Sequence, residues 1–144
     1  MGPKHLSHSR EFCLDWNKWV PTKVNIFAWG AEMERLPTSM ALSKRNIQLP
    51  SLECNLCNAE DETMEHLLTT CYVATRIWQW VAAWCNIPYI MAFLTRDLME
   101  YHMYTNLSKD KSKVVHAVLL TASLLGIWRA RNNLVFSAKP LRME

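Results

Sequence analysis

Glycine is scarce in this sequence, with 3 in 144 residues. That excludes the glycine-rich loops that cradle phosphates in nucleotide-binding enzymes. Long apolar runs are missing as well. The longest, Val114 to Trp128, is interrupted by His116, Thr121 and Ser123. It falls short of the roughly 20 residues a membrane-spanning helix needs, so a buried helix is expected and no membrane partner. The opening MGPKHLSHSR holds no apolar segment of the kind a secretory signal requires. The expected location is therefore intracellular, nuclear or cytoplasmic, and not secreted. Strong charge is absent too: a net +3 permits a nucleic-acid partner without demanding one. Five cysteines cannot all pair, and outside a secretory context clustered cysteines favour a metal over a disulfide framework.

What is present is core material. Half of the residues are hydrophobic, and 7 are Trp and 8 are Met. One domain is expected, built all-α with four to five helices. A loose lead occupies residues 1–14, a first module 15–88, a helical extension 89–136 and a tail 137–144. Pro21 suits the first turn of a helix that Pro37 ends. On that helix Val24, Phe27, Ala28 and Ala31 share one face and Ile26, Trp29 and Met33 another, which predicts packing on two sides. Thr38 is placed to cap a short second helix. The stretch YVATRIWQWVAAWC is amphipathic, with Val73, Ile77, Trp80, Val81 and Trp84 on its apolar face. A further helix is expected from about Ile90 to Tyr104, and a last one from about Lys111 to Phe136. His102 and His116 read as core histidines, Cys85 as a core thiol, Cys13 as exposed, and His5 and His8 as tail residues.

Between the second and third helices lies CNLCNAEDETMEHLLTTC, Cys54 to Cys71. Cys54 and Cys57 are close enough in sequence for one turn to aim both sulfurs at one ion. His66 and Cys71 return to complete a tetrahedron, and three thiolates with one imidazole suit a zinc ion. Four protein ligands leave no open position, so such a site staples and does not catalyse. Buried thiols without a metal and a redox Cys-x-x-Cys pair are the alternatives; the second lacks its usual strand–helix context. Glu60, Asp61, Glu62 and Glu65 crowd the loop and read as solvating residues that also favour a short helix near His66.

The ordered segments WNKWVPTKVNIFAWGAEMERLPT, LSKRNI, CNLCNAEDETMEHLLTTC and ATRIW resemble the reverse transcriptase zinc-binding domain of plant non-LTR (LINE-type) retrotransposons. The likeness runs from Trp16 to Pro88 through Trp19, Pro21, Lys23 and Val24, then Phe27 and Trp29, then Leu36-Pro37-Thr38. It continues through the four ligands, Glu65-His66-Leu67 and Trp78. IWRARNNLVF resembles the helix end ahead of an RNase H-like domain. Gly30 stands where the family usually has Arg, and Tyr72 where it often has Pro. The resemblance implies a module of a polymerase that supports reverse transcription without catalysing it. The four Asp residues, Asp15, Asp61, Asp97 and Asp110, are scattered, and neither a polymerase Asp pair nor an RNase H tetrad is visible.

The implied role is weak binding of RNA or DNA. Lys18, Lys23, Lys44, Arg45 and Arg76 are the candidate phosphate contacts, with Lys109, Lys111 and Lys113 as a second group and Arg129 and Arg131 as a third. Trp16 and Trp19 are the better candidates for exposure, with a hydrophobic-staple role at the helix entry favoured over base stacking, while Trp80 and Trp84 are expected in the core. The contrasting expectation is a docking platform for polymerase or RNase H domains, or for a second copy, with no nucleic-acid binding.

Overall fold

A computed structural model of the chain describes residues 16–136. The expected lead and tail, with Cys13, His5 and His8, lie outside the described residues. The described part is helical and contains no strand. Its seven α-helices exceed the four to five expected: α1 (Thr22–Glu32), α2 (Ser39–Lys44), α3 (Tyr72–Cys85), α4 (Thr95–Met99), α5 (Tyr101–Tyr104), α6 (Lys109–Thr121) and α7 (Arg129–Phe136). Two π-helical segments join them, His66–Thr70 ahead of α3 and Ala122–Trp128 between α6 and α7. The surplus arises where a π segment divides the expected last helix into α6 and α7, and at residues 90–104. One helix was expected there, but an extended stretch leads into two short ones.

Local chemistry accounts for the boundaries. Pro21 precedes the first turn of α1 in extended conformation, and its carbonyl accepts from the Val24 N–H at 2.9 Å. The Thr38 hydroxyl accepts from the Ala41 N–H at 3.2 Å and caps α2. Asn86, left-handed at φ 56°, ends α3 before Pro88 is reached, and the Ile87 N–H closes back on the Ala82 carbonyl. α6, the π segment and α7 form one unbroken helix, Lys109–Phe136, long and apolar enough by length and composition to cross a membrane. Here it is the central core helix, burying Val115, Leu119, Leu120, Ile127 and Trp128.

α1 packs against α4, α6 and the second π segment, while α3 packs on the first. Val24, Phe27, Ala28 and Ala31 are buried as expected, but Ile26, Trp29 and Met33 are exposed. α1 is therefore packed on one side and not on two. Gly30 is buried, and a Cβ there would meet Leu36 Cδ2 at 3.2 Å. The larger correction concerns α3. Its core face is Ala74, Trp78, Val81 and Ala82, and the Trp78 indole N–H donates to the Leu68 carbonyl at 2.7 Å. Trp80 and Trp84 are each 71% exposed. His116 is a core residue as expected, 3.1 Å from the Asn17 amide nitrogen, and His102 stacks on it with ring centroids 3.8 Å apart.

Candidate metal centre

Cys54, Cys57, His66 and Cys71 converge. Their ligand atoms all lie within 4.8 Å of one another. Cys54 Sγ is 3.9 Å from Cys71 Sγ, and Cys57 Sγ is 3.3 Å from His66 Nε2. Zinc–ligand bonds of ~2.3 Å to sulfur and ~2.0–2.1 Å to nitrogen give tetrahedral edges of about 3.8 and 3.6 Å. The donor set and its spacing thus fit one tetrahedral ion. All four cysteines among the described residues are free thiols.

Two backbone devices build this convergence. The first is the turn through Cys54–Asn58. Asn58 is left-handed at φ 56°, a conformation Asn tolerates better than most residues, and its N–H donates to the Cys54 carbonyl at 2.8 Å. The turn aims the Leu56 N–H at Cys54 Sγ and the Ala59 N–H at Cys57 Sγ, each at 3.4 Å. Such donors stabilise negative sulfur. An isolated antiparallel bridge between Glu53 and Asp61 closes the loop behind it.

The second device is the π turn. At 3.6 residues per turn, positions five apart point about 140° away from each other. The wider turn, closed by the Cys71 N–H on the His66 carbonyl at 2.8 Å, brings His66 and Cys71 round to one side. His66 then presents Nε2 inward. Its Nδ1 lies 3.1 Å from the Thr70 hydroxyl and 3.5 Å from a Glu60 carboxylate oxygen. A carboxylate behind a ligating imidazole fixes its tautomer and raises its basicity. Glu60→Gln together with Thr70→Val is expected to weaken metal affinity roughly 10- to 100-fold with the fold retained. Competition with a chromophoric chelator measures this; unchanged affinity removes the orienting role.

The thiols differ in environment. Burial pushes Cys54 up to about 12 and raises Cys71, although backbone N–H groups work in the opposite direction. At Cys57 burial also raises the pKa, but the Ala59 N–H and the neighbouring thiols outweigh it and the net shift is downward. Without a cation this pocket does not favour three thiolates together. A divalent ion reverses that balance and displaces the protons.

The acids have roles that a solvated-loop reading misses. Glu62 is fully buried. One of its carboxylate oxygens accepts from the Ser39 N–H at 2.9 Å, and the other from the Asn55 N–H at 3.0 Å and the Asn55 side-chain amide at 2.8 Å. Arg131, from α7, completes the set with Nη2 at 2.6 Å. Burial alone raises the Glu62 pKa, but the Arg131, Asn55 and Ser39 bonds prevail and hold it at about 2. The stability this carboxylate contributes is whole above pH about 4.5 and is lost as the pH falls toward about 2. Glu65 accepts from the Thr95 N–H at 2.7 Å and from its hydroxyl, tying the metal loop to α4. Asp61 and Glu60 are the exposed acids of the four.

Lys18, Lys23, Lys44, Arg45 and Arg76 are all exposed. Lys44 and Arg45 border a cavity of about 310 Å³ shared with Glu34 and Glu65. Lys18 and Lys113 border another of about 220 Å³ beside Trp16 and Trp19, which are both exposed. In the third group Arg129 is exposed, but Arg131 is buried against Glu62 and is not a surface cation.

A helical body closed around a Cys3His cluster can hold one metal ion with four protein donors, a set that leaves no open coordination position. The chain belongs to the family described as zinc-binding in reverse transcriptase, which matches residues 3–78. No curated protein and no solved structure matches it. The family match ends at Trp78, whereas Arg131, which the loop carboxylate requires, lies far beyond it.

Proposed function

We propose that the chain is a non-catalytic module that holds one structural zinc ion and weakly binds nucleic acid in support of reverse transcription, as in the plant non-LTR elements its motifs resemble. Zinc suits the donor set because three thiolates and an imidazole at tetrahedral spacing are its common structural shell. Reduced thiols suit an intracellular setting, nuclear or cytoplasmic. The observation that carries the nucleic-acid reading is that all five candidate cations in the first module stand in solvent. The proposed division remains a first module, residues 15–88, that holds the ion, and an extension, 89–136, that supports it.

The test is binding of fluorescent single- and double-stranded oligonucleotides across a salt series. Affinity is expected to fall steeply, roughly one decade per decade of salt for each phosphate contacted. Absence of binding at low salt defeats this reading. It favours the alternative, a docking platform for polymerase or RNase H domains or for a second copy, for which the exposed Trp80, Trp84, Tyr104 and Phe136 speak.

A further inference from the structure

The outer face of α3 carries Tyr72, Arg76, Trp80 and Trp84, four apart in sequence. Tyr72 is 64% exposed and the two tryptophans 71% each. Trp78, on the same helix, shows that an indole the core needs is buried here. Burying Trp80 and Trp84 as well would require turning the helix and withdrawing Trp78. The guanidinium of Arg76 lies over the Tyr72 ring, 5.7 Å from its centroid, and Nη1 donates to the Tyr72 hydroxyl at 2.7 Å. That contact holds the cation against the row. Among the described residues no carboxylate forms an ion pair with Arg76. α3 itself contains no acidic residue.

We infer that this row is a stacking platform for an unpaired, single-stranded nucleic acid, a site that deepens and rests on the nucleic-acid reading above. Charge and spacing choose the occupant. A cation without a carboxylate, set among aromatic faces on a helix free of acid, complements a phosphate backbone with exposed bases. Residues four apart on an α-helix advance by about 6 Å. Bases stacked in a duplex are ~3.4 Å apart along each strand. Trp80 and Trp84 therefore meet successive bases only when the strand is stretched and its bases are separated, which a duplex does not permit. Each four-residue step also rotates about 40° around the helix. The row thus winds gently, and the bound strand follows it across α3.

The experiment uses the full chain loaded with zinc and a fluorescein-labelled oligothymidylate, with a hairpin duplex of equal charge as the second probe. Trp80→Ala together with Trp84→Ala is expected to weaken single-strand binding roughly 10- to 100-fold. Weak duplex binding should change little. Zinc content and helical signal should stay at wild-type values, because both side chains stand in solvent. Arg76→Gln is expected to weaken single-strand binding and lower its salt slope by about one. If the wild-type chain binds the oligonucleotide and the tryptophan variant binds it equally well, the platform is wrong while the broader reading survives. If the wild-type chain binds neither probe at low salt, both fall. If the tryptophan variant turns a sedimenting dimer into a monomer without changing oligonucleotide affinity, the face belongs to a second copy and the platform is overturned.

Discussion

Arg131→Met is expected to lower the unfolding free energy by about 3–5 kcal/mol, because it strands a buried carboxylate without its cation. Few substitutions away from the ligands should cost more. Glu62 is fully buried and links Ser39 at the start of α2, Asn55 in the metal loop and Arg131 on α7. Urea unfolding checks the value as a shift of midpoint at unchanged slope. The double variant Arg131→Met, Glu62→Leu is expected to recover much of the loss, since an apolar pair removes the unpaired charge. If the single variant lowers the unfolding free energy by less than ~1 kcal/mol, the pair does not hold the loop to the C-terminal helix. One consequence is that a chain cut at Trp78, where the family match ends, loses this cation. Such a fragment is expected to bind metal less tightly than the full chain.

Metal withdrawal is expected to act more strongly still. Structural zinc contributes on the order of 10 kcal/mol or more to folding. That rivals the ~5–15 kcal/mol by which whole domains are stable. A strong chelator, or Cys57→Ser, should therefore collapse the packing of the metal loop on α2 and α4 and much of the helical signal. Circular dichroism read alongside metal content checks this. Persistence of full helicity after complete chelation would make the ion an accessory and the hydrophobic core sufficient by itself. Metal affinity should also climb with pH, about tenfold per unit for each thiol that loses its proton on binding. The direction follows from burial, which raises Cys54 and Cys71 while they lack a cation. Acidification should release the ion, and with it the fold.

The Cys3His cluster was legible in the sequence because cysteine and histidine announce themselves by chemistry and spacing. Cys54, Cys57, His66 and Cys71 meet as that spacing implied. So was the Thr38 cap, a local signal read locally. α3 was legible as a helix but not in its orientation. Trp80 and Trp84 looked apolar, and apolar residues were assigned to the core. Yet Trp78, one residue outside the assigned face, fills it together with small Ala74 and Ala82. Periodicity tells that a helix has a face, and packing against the π turn and its Leu68 carbonyl decides which. The π turn itself left one trace: a His-x4-Cys pair that an ordinary helix would point apart. Glu62 was hidden among four similar acids. Its partner Arg131 lies 69 residues away, and nothing local in the sequence distinguishes it from a surface cation. The two short helices at 95–104 reflect an interruption at Glu100 too short for periodicity to detect.

The most direct test of the metal centre is X-ray absorption at the zinc edge on the purified chain, with the bound metal quantified in the same sample. One zinc per chain is expected, with three sulfurs at ~2.3 Å and one nitrogen at ~2.0–2.1 Å in its shell. Two or fewer sulfurs, an oxygen-rich shell, or a full complement of zinc retained by Cys57→Ser would contradict the assignment.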